Sequence, residues 1–243
     1  MYAIISDVHG NFEALYAVLS RIESLGVQRI VCLGDIVGYN ADPDQCTEMV
    51  FARVAAQVRG NHDKAVAGQM CISDFNETAR EAVQWTRRMM SSGNKRRLKT
   101  LSRGPAVVHP SFVICHGTPF DEDAYVQDRA VVLKCFAYLA RRHEGCAVCF
   151  YGHTHIPMVI TDGAEVVESG SPVELRRGNR YLINPGSVGQ PRDRVPTASF
   201  GLFDEFSLQY EHCRVEYPIE KTQMKIIKAG LPERLATRIA IGA

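Results

Sequence analysis

Short apolar runs, each closed by glycine, aspartate or histidine, recur along the first 155 residues of the chain. Tyr2-Ala3-Ile4-Ile5 leads to Asp7, Ile30-Val31-Cys32-Leu33 to Asp35, and Val54-Ala55-Ala56-Gln57-Val58 to Gly60. Phe112-Val113-Ile114-Cys115 leads to His116, and Ala147-Val148-Cys149-Phe150-Tyr151 to Gly152. Runs this short and rich in β-branched residues predict buried strands. Between the first two, Phe12, Leu15, Leu19, Ile22 and Leu25 fall at spacings of three and four, which predicts an amphipathic helix over 11–25 and a β-α-β opening. Further helices are expected at 43–53, with Asp42 as N-cap and Pro43 at the first position, at 128–142, and at 219–243 with a break at Gly230-Leu231-Pro232. Residues 74–101 read as helical and basic, part of an insert at about 64–104 beside the motifs. Beyond Gly152 the texture changes to short strands at 158–161, 164–168, 180–184, 199–203 and 208–217, whose hairpin-like spacing predicts a second, mainly antiparallel sheet packed on the first.

The 243 residues, 46% of them hydrophobic, suit one α/β domain with a full core over 1–243. With 28 basic against 27 acidic side chains, long-range attraction to nucleic acid or membrane is not expected, so a small anion must be drawn by a local site. No run approaches the ~18 apolar residues of a membrane span, and the first strand starts without a charged leader, which leads us to expect a cytoplasmic protein. Three of the eight cysteines, Cys32, Cys115 and Cys149, sit in strand-like runs and read as reduced, buried thiols. Cys146 and Cys149 form one CxxC without a second; in a strand its members would face opposite ways, against a zinc or redox role.

Candidate chemistry gathers at the predicted strand ends: Asp7-Val8-His9, Gly34-Asp35, Gly60-Asn61-His62-Asp63, Cys115-His116-Gly117 and Gly152-His153-Thr154-His155. Taken one at a time they have plainer explanations, Asp7 and Asp35 as caps, Gly34 and Gly60 as turn formers, His116 as a turn residue before Gly117-Thr118-Pro119. As a set they are different. Carboxylates and imidazoles gathered at one rim of one sheet, where open α/β sheets place their sites, would be desolvated and unpaired without a cation. His109, His143 and His212 fall outside these clusters and read as structural.

In order and spacing the clusters resemble the calcineurin-like metallophosphoesterase superfamily, whose signature runs DxH, GDxxG, GNH(E/D), a lone His and GHxH. Asn184-Pro185-Gly186-Ser187 is similar to a loop of its small bacterial and archaeal phosphodiesterase-like members. The resemblance implies a four-layer α-β-β-α sandwich of two mixed sheets and a pair of divalent metals. Asp7, His9 and His155 would hold one metal, Asn61, His116 and His153 the other, and Asp35 would bridge them. It also implies hydrolysis of a phosphoester by a metal-activated water, with His62 protonating or otherwise stabilising the leaving oxygen. Mixed N/O ligands suit Mn, Fe, Zn, Ni or Co; Mn is preferred because members resembling this chain commonly work with it.

Departures from the family narrow the substrate. Its protein phosphatases extend the second motif to GDxVDRG, where this chain has Val37-Gly38-Tyr39 and so lacks both the Asp that orients the histidine and the Arg that holds phosphate. The symmetrical dinucleoside tetraphosphatase reading weakens for the same reason. Cations for the substrate could come from Arg192, or from Arg59, Lys64 or Arg87. Phosphodiesters or nucleotide-type anhydrides are therefore expected ahead of monoesters, which want more cationic clamps. Phe75, Trp85, Phe120 and Tyr125 are candidates for a base-binding wall or for core. The basic run from Arg87 to Lys99 lacks interleaved aromatics and reads as a solvated helix face rather than a nucleic-acid surface. A scaffold that has lost catalysis is the non-enzymatic alternative, opposed by retention of all seven ligand positions and His62. An oligomer is compatible with the sequence, through an outer strand edge or the C-terminal helices.

Overall fold

The computed structural model describes residues 1–167 and 172–243. The chain opens with β1 (Tyr2–Ile5), α1 (Phe12–Ser24), β2 (Arg29–Cys32), α2 (Pro43–Arg53) and β3 (Ala56–Gln57). Three helices follow, α3 (Asn61–Val66), α4 (Glu77–Met89) and α5 (Ser92–Lys99), before β4 (Ala106–His109), β5 (Phe112–Ile114), α6 (Arg129–Arg142) and β6 (Val148–Phe150). The remainder is β7 (Met158–Thr161), β8 (Val166–Val167), β9 (Val173–Glu174), β10 (Tyr181–Asn184), β11 (Ala198–Asp204), β12 (Gln209–Val215), α7 (Ile219–Lys228) and α8 (Glu233–Ile241). Of the strand expected at 164–168, Glu168 lies outside the described residues. No helix among the described residues is long and apolar enough to cross a membrane.

Two six-stranded sheets, ordered β3-β2-β1-β11-β12-β9 and β4-β5-β6-β10-β7-β8, pack face to face with helices outside. The alternation of β1 shows the layering: Tyr2 and Ile4 join Phe112, Phe150 and Phe203 between the sheets, whereas Ala3 and Ile5 join Leu15, Val18 and Ile22 of α1. On the outer face of the second sheet, Val113, Cys149 and Leu182 meet Cys135, Phe136 and Leu139 of α6. The architecture is the expected four-layer sandwich of mixed sheets.

The C-terminal strands do not, however, form a sheet of their own. β11 pairs antiparallel with β1, and β10 pairs parallel with β6 and antiparallel with β7, so each sheet is mixed. The cause is burial: β10 is buried at every position and β11 at all but its last, which suits interior strands of covered sheets. A second correction follows. Asp7 and Asp35 succeed β1 and β2 of one sheet, while His116, His153 and His155 succeed β5 and β6 of the other, so the motifs meet across two sheet ends rather than along one rim.

Local signals hold in most places. Asn11 caps α1 by accepting from the Ala14 N–H at 3.2 Å, and its amide donates to Gly189 O at 3.0 Å. Asp42 stands before α2 but makes no side-chain cap there, because its carboxylate accepts from Lys225 Nζ at 2.7 Å. In the 74–101 region α4 buries Ala79 and Ala82 against Ile226, Leu235 and Ile239 of the C-terminal helices. Trp85 lies in that contact and donates to Ala229 O at 2.9 Å. All eight cysteines are free; Cys146 precedes β6 and shares one apolar cluster with Cys149, so opposite-face placement does not apply to the pair.

Candidate metal centre

The turns after β1, β2 and β6 are held in an unusual backbone state. Asp7, His9, Asp35, His153 and His155 all have φ between 49° and 68°, the left-handed region that non-glycine residues rarely enter. Such residues cluster where surrounding structure over-determines them, at sites that need a particular side-chain direction. Here a lattice of hydrogen bonds does so. Asp7 N–H donates to Gly34 O at 3.0 Å, His9 N–H to Asp35 O at 2.9 Å, and Gly152 N–H to His116 O at 2.8 Å. Gly152 must be glycine, since a Cβ would collide with Ser6 Oγ and come within 2.8 Å of Asp7 Oδ2.

These turns bring together two overlapping sets of ligand atoms. Atoms from Asp7, His9, Asp35 and His155 lie within 4.8 Å of one another, as do atoms from Asp35, His116 and His153, and every one of these residues is buried. Asp35 belongs to both sets: its Oδ2 is 3.5 Å from His9 Nε2 and 3.4 Å from His116 Nε2. Asn61 joins the second, with Oδ1 3.3 Å from His116 Nε2. All seven residues expected from the sequence as metal-binding are thus at one place.

Each side chain is fixed from behind. His9 Nδ1 lies 3.1 Å from Val37 O, His116 Nδ1 2.8 Å from Leu33 O, His155 Nδ1 2.6 Å from Gln190 O, and His153 Nε2 3.2 Å from Asp123 O. A carbonyl only accepts, so the nitrogen facing it carries the proton and the other nitrogen presents a bare lone pair to the centre. The bare nitrogens face each other closely: His9 Nε2 and His155 Nε2 are 3.1 Å apart, His116 Nε2 and His153 Nδ1 3.2 Å. The carboxylates follow the same rule. Asp35 Oδ1 accepts the His62 N–H at 2.9 Å while Oδ2 turns inward. Asp7 Oδ2 accepts from Ser6 Oγ at 2.6 Å and His153 N–H at 3.1 Å, leaving the buried Oδ1 turned inward, 3.2 Å from His155 Nε2.

Electrostatics agree with the geometry. Burial opposes charge on His116, yet the Asp35 and Asp7 carboxylates outweigh it and raise that imidazole to about 10, so a proton competes with a cation for its Nε2. Burial pushes His153 down to about 3 and holds His9 and His155 below their usual value. The centre therefore demands positive charge between its carboxylates while most of its imidazoles reject a proton. Divalent cations satisfy both conditions, and the donor set fits them.

Beyond the sequence motifs, the match extends to known proteins. The calcineurin-like phosphoesterase superfamily domain matches residues 1–206. The chain belongs to that superfamily. It is 37% identical to the uncharacterized protein MJ0912 of Methanocaldococcus jannaschii, over 100% of this chain and 98% of that one. A metallophosphoesterase from Sphaerobacter thermophilus has a crystal structure similar to this one at a TM-score of 0.86, with 35% identity and coverage of 100% and 98%. The hypothetical protein PH1004 from Pyrococcus horikoshii OT3 shares the fold at a TM-score of 0.79 and 19% identity, over 100% and 99% of the two chains. Membership makes the chain a metal-binding hydrolase of phosphoesters.

His62 lies beside this metallophosphoesterase centre but is held differently from the ligands. Its ring packs among Tyr39, His9 and Phe75, with centroids 4.4, 4.9 and 5.1 Å away. Nδ1 is buried, has no hydrogen-bond partner among the described residues and faces Gly38, where a Cβ would collide with it. Burial pushes the imidazole down to about 4. The sequence treats Asp63 as no more than a neighbour of His62, and the structure gives it a definite task. Its carboxylate accepts from Ile36 N–H at 2.9 Å, Val37 N–H at 3.3 Å and Gly60 N–H at 3.0 Å, tying the Asp35 turn to the start of α3. Burial and the Asp35 charge push its acid up to about 7, against the pull of the Gly60 and Val37 N–H groups.

Of the four cations considered for the substrate, three are committed elsewhere. Arg59 pairs with Glu122 through two bonds of 3.0 and 2.9 Å, and Lys64 donates to Glu122 at 3.1 Å and to Asp123 at 2.6 Å. Arg87 donates to Ala65 O at 2.8 Å and Met70 O at 3.4 Å, closing the end of α3. Arg192 differs: its guanidinium donates to Gln190 Oε1 at 3.0 Å, reaches Tyr39 Oη at 3.5 Å, and leaves Nε buried with no hydrogen-bond partner among the described residues. The candidate aromatic wall also divides. Phe75 and Tyr125 line a cavity of about 230 Å³ together with Asn61, His62 and His153, whereas Trp85 packs on the C-terminal helices and Phe120 lies beneath Lys134.

Proposed function

We propose that the chain is a dinuclear metallophosphodiesterase, hydrolysing phosphodiester or nucleotide-type phosphoester and anhydride bonds. The observation that carries this reading is the shared position of Asp35 Oδ2, within 3.5 Å of ligand nitrogens from both sets. Asp7, His9 and His155 would hold one cation, Asn61, His116 and His153 the other, with Asp35 between; Mn is preferred, and Fe, Zn, Ni or Co suit the same donors. Bound there, the pair would supply Lewis-acid polarisation of the phosphoryl group and activation of a water.

The protein's own groups do the rest. With Nδ1 buried against Gly38, Nε2 is the His62 nitrogen left to serve the substrate, and it protonates or otherwise stabilises the leaving oxygen. Tyr39 and Phe75 fix that ring by packing, in place of the aspartate that this chain lacks. Arg192 supplies a guanidinium to phosphate oxygens, presented by Gln190. A diester carries one charge where a monoester carries up to two, and with Arg59, Lys64 and Arg87 engaged internally the site suits the lesser charge. In this reading residues 1–243 act as one domain, and the helices at 64–104 build one side of the site.

The test is hydrolysis of bis-p-nitrophenyl phosphate beside p-nitrophenyl phosphate by protein purified without chelator, with Mn(II) and with an EDTA control. Metal-dependent turnover that favours the diester is expected. Preference for the monoester would transfer the assignment to a phosphomonoesterase, and silence of the metal-loaded protein on every phosphoester would favour a scaffold.

A further inference from the structure

The cavity beside the candidate metal centre is lined by aromatic and acidic side chains. Asn61, His62 and His153 line it, so a group departing from phosphorus on the His62 side enters it. Aromatic rings stand on both flanks. Phe75 and Tyr39 pack on the His62 ring, and Tyr125 stacks on His153 with centroids 3.8 Å apart and planes 23° from parallel, while remaining 44% exposed. The charged residues in the lining are Asp74 and Asp123, and no arginine or lysine lines it among the described residues. Lys64 already neutralises Asp123, and Asp74 stands exposed on the stretch before α4. Arg192, the cation available to phosphate, is not itself in the lining but stands behind it, against Tyr39 Oη and Gln190 and beside Tyr125. The lining itself is thus aromatic and mildly acidic, with its nearest free guanidinium at the Tyr39 edge.

We infer that the leaving group is an uncharged alcohol that carries an aromatic ring, a phenol or a nucleoside, and that substrates whose leaving group is itself a phosphate are disfavoured. This rests on the phosphodiesterase reading and narrows it from esters and anhydrides to esters. A cavity of about 230 Å³ is below the ~300–1,000 Å³ usual for drug-sized ligands, which suits one ring system rather than a dinucleotide. In the reaction a water oxygen bonds to phosphorus and the bond from phosphorus to the oxygen of the ring-bearing alcohol breaks. One proton of the water ends on the departing alcohol, by way of His62, and the other is left with the phosphomonoester product. A leaving pyrophosphate or phosphate would bring two or more negative charges against Asp74 with no arginine or lysine in the lining to receive them.

Two measurements on the metal-loaded protein test this. The first is calorimetric binding of phenylphosphonate against methylphosphonate, which share the phosphoryl charge and differ in the ring. The wild type should bind the phenyl compound about tenfold more tightly, from burial of the ring's apolar surface. Phe75→Ala and, as a more exposed position less able to disturb folding, Tyr125→Ala should each reduce that ratio while metal content stays unchanged. Equal affinity for the two phosphonates in the wild type overturns the proposal. The second compares kcat/KM for thymidine 5′-(p-nitrophenyl) phosphate with that for ADP. Preference for the aryl ester, and a gain on ADP in Asp74→Lys, is expected; preference of the wild type for ADP overturns the proposal. If the phenyl preference holds but nothing is hydrolysed, the cavity assignment stands and the hydrolase reading fails instead.

Discussion

Asp63→Ala removes a carboxylate on which three backbone N–H groups depend, and those groups belong to the two turns that carry Asp35 and Asn61. The bonds measure 2.9, 3.3 and 3.0 Å, from Ile36, Val37 and Gly60, and Asp63 is 0% exposed. A buried donor left without its partner costs about 1–3 kcal/mol. Water entering the vacated space recovers part of that, so we expect a loss of about 3–5 kcal/mol rather than the full sum. Against a stability of about 5–15 kcal/mol the change is severe, and at roughly 2–4 °C per kcal/mol it lowers Tm by about 6–20 °C. Asp63→Asn keeps one oxygen for Ile36 and Val37 but turns an amide NH2 toward the Gly60 N–H, and should lose about half as much. Urea unfolding of chelator-treated protein, followed by fluorescence of the single tryptophan, Trp85, measures both variants. Metal affinity should fall about 10–100-fold in Asp63→Ala, as when other supports of metal ligands are removed. A variant within about 1 kcal/mol of wild type, with metal affinity intact, would refute the assignment of Asp63 as the tie between the turns.

Other substitutions probe other parts of the account. Asp35→Ala should release both metals together, read by elemental analysis after gel filtration; two retained metals per chain would contradict a bridge. His62→Ala should keep its metals and lower kcat about 10²–10⁴-fold, with the larger loss on the poorer leaving group; rates unaltered by the substitution on both a good and a poor leaving group would remove its role at the leaving oxygen. Arg192→Ala should raise KM for the diester, and unchanged kinetics would return Arg192 to the structural residues. Away from the centre, burial pushes His212, which is 2.6 Å from Ser199 Oγ, down to about 4. Its folded-state value is depressed, so its contribution is complete above the unfolded value of about 6.5 and is lost as pH falls toward 4. His212→Gln should flatten that part of the stability profile relative to wild type, and superimposable pH slopes would count against it.

The amino-acid sequence carried most of the strands, the major helices and the seven residues that meet at the candidate centre, because each of the seven follows an apolar run and local pattern suffices to place it; strands β4 and β9 carried no such signal. Sheet membership was not local. Strand β11 is buried at all but its last position, yet only its pairing with β1 reveals that it divides the parallel half of one sheet from the antiparallel half. The same limit concealed that His116 and Asp35 come from different sheets. Supports made by backbone carbonyls, such as Val37 O behind His9 and Asp123 O behind His153, leave no residue-type signature at all. Asp63 did leave one, an acid three residues after Gly60 at a helix start, which is capping-box spacing. Its carboxylate accepts the Gly60 N–H, while the bonds to Ile36 and Val37 span the fold.

Anomalous scattering from crystals grown with Mn(II), recorded above and below the manganese edge, tests the dinuclear centre most directly. The account predicts two peaks about 3.5–4 Å apart, one among Asp7, His9 and His155, the other among Asn61, His116 and His153, with Asp35 between them. A single peak, or two that Asp35 does not join, would contradict it.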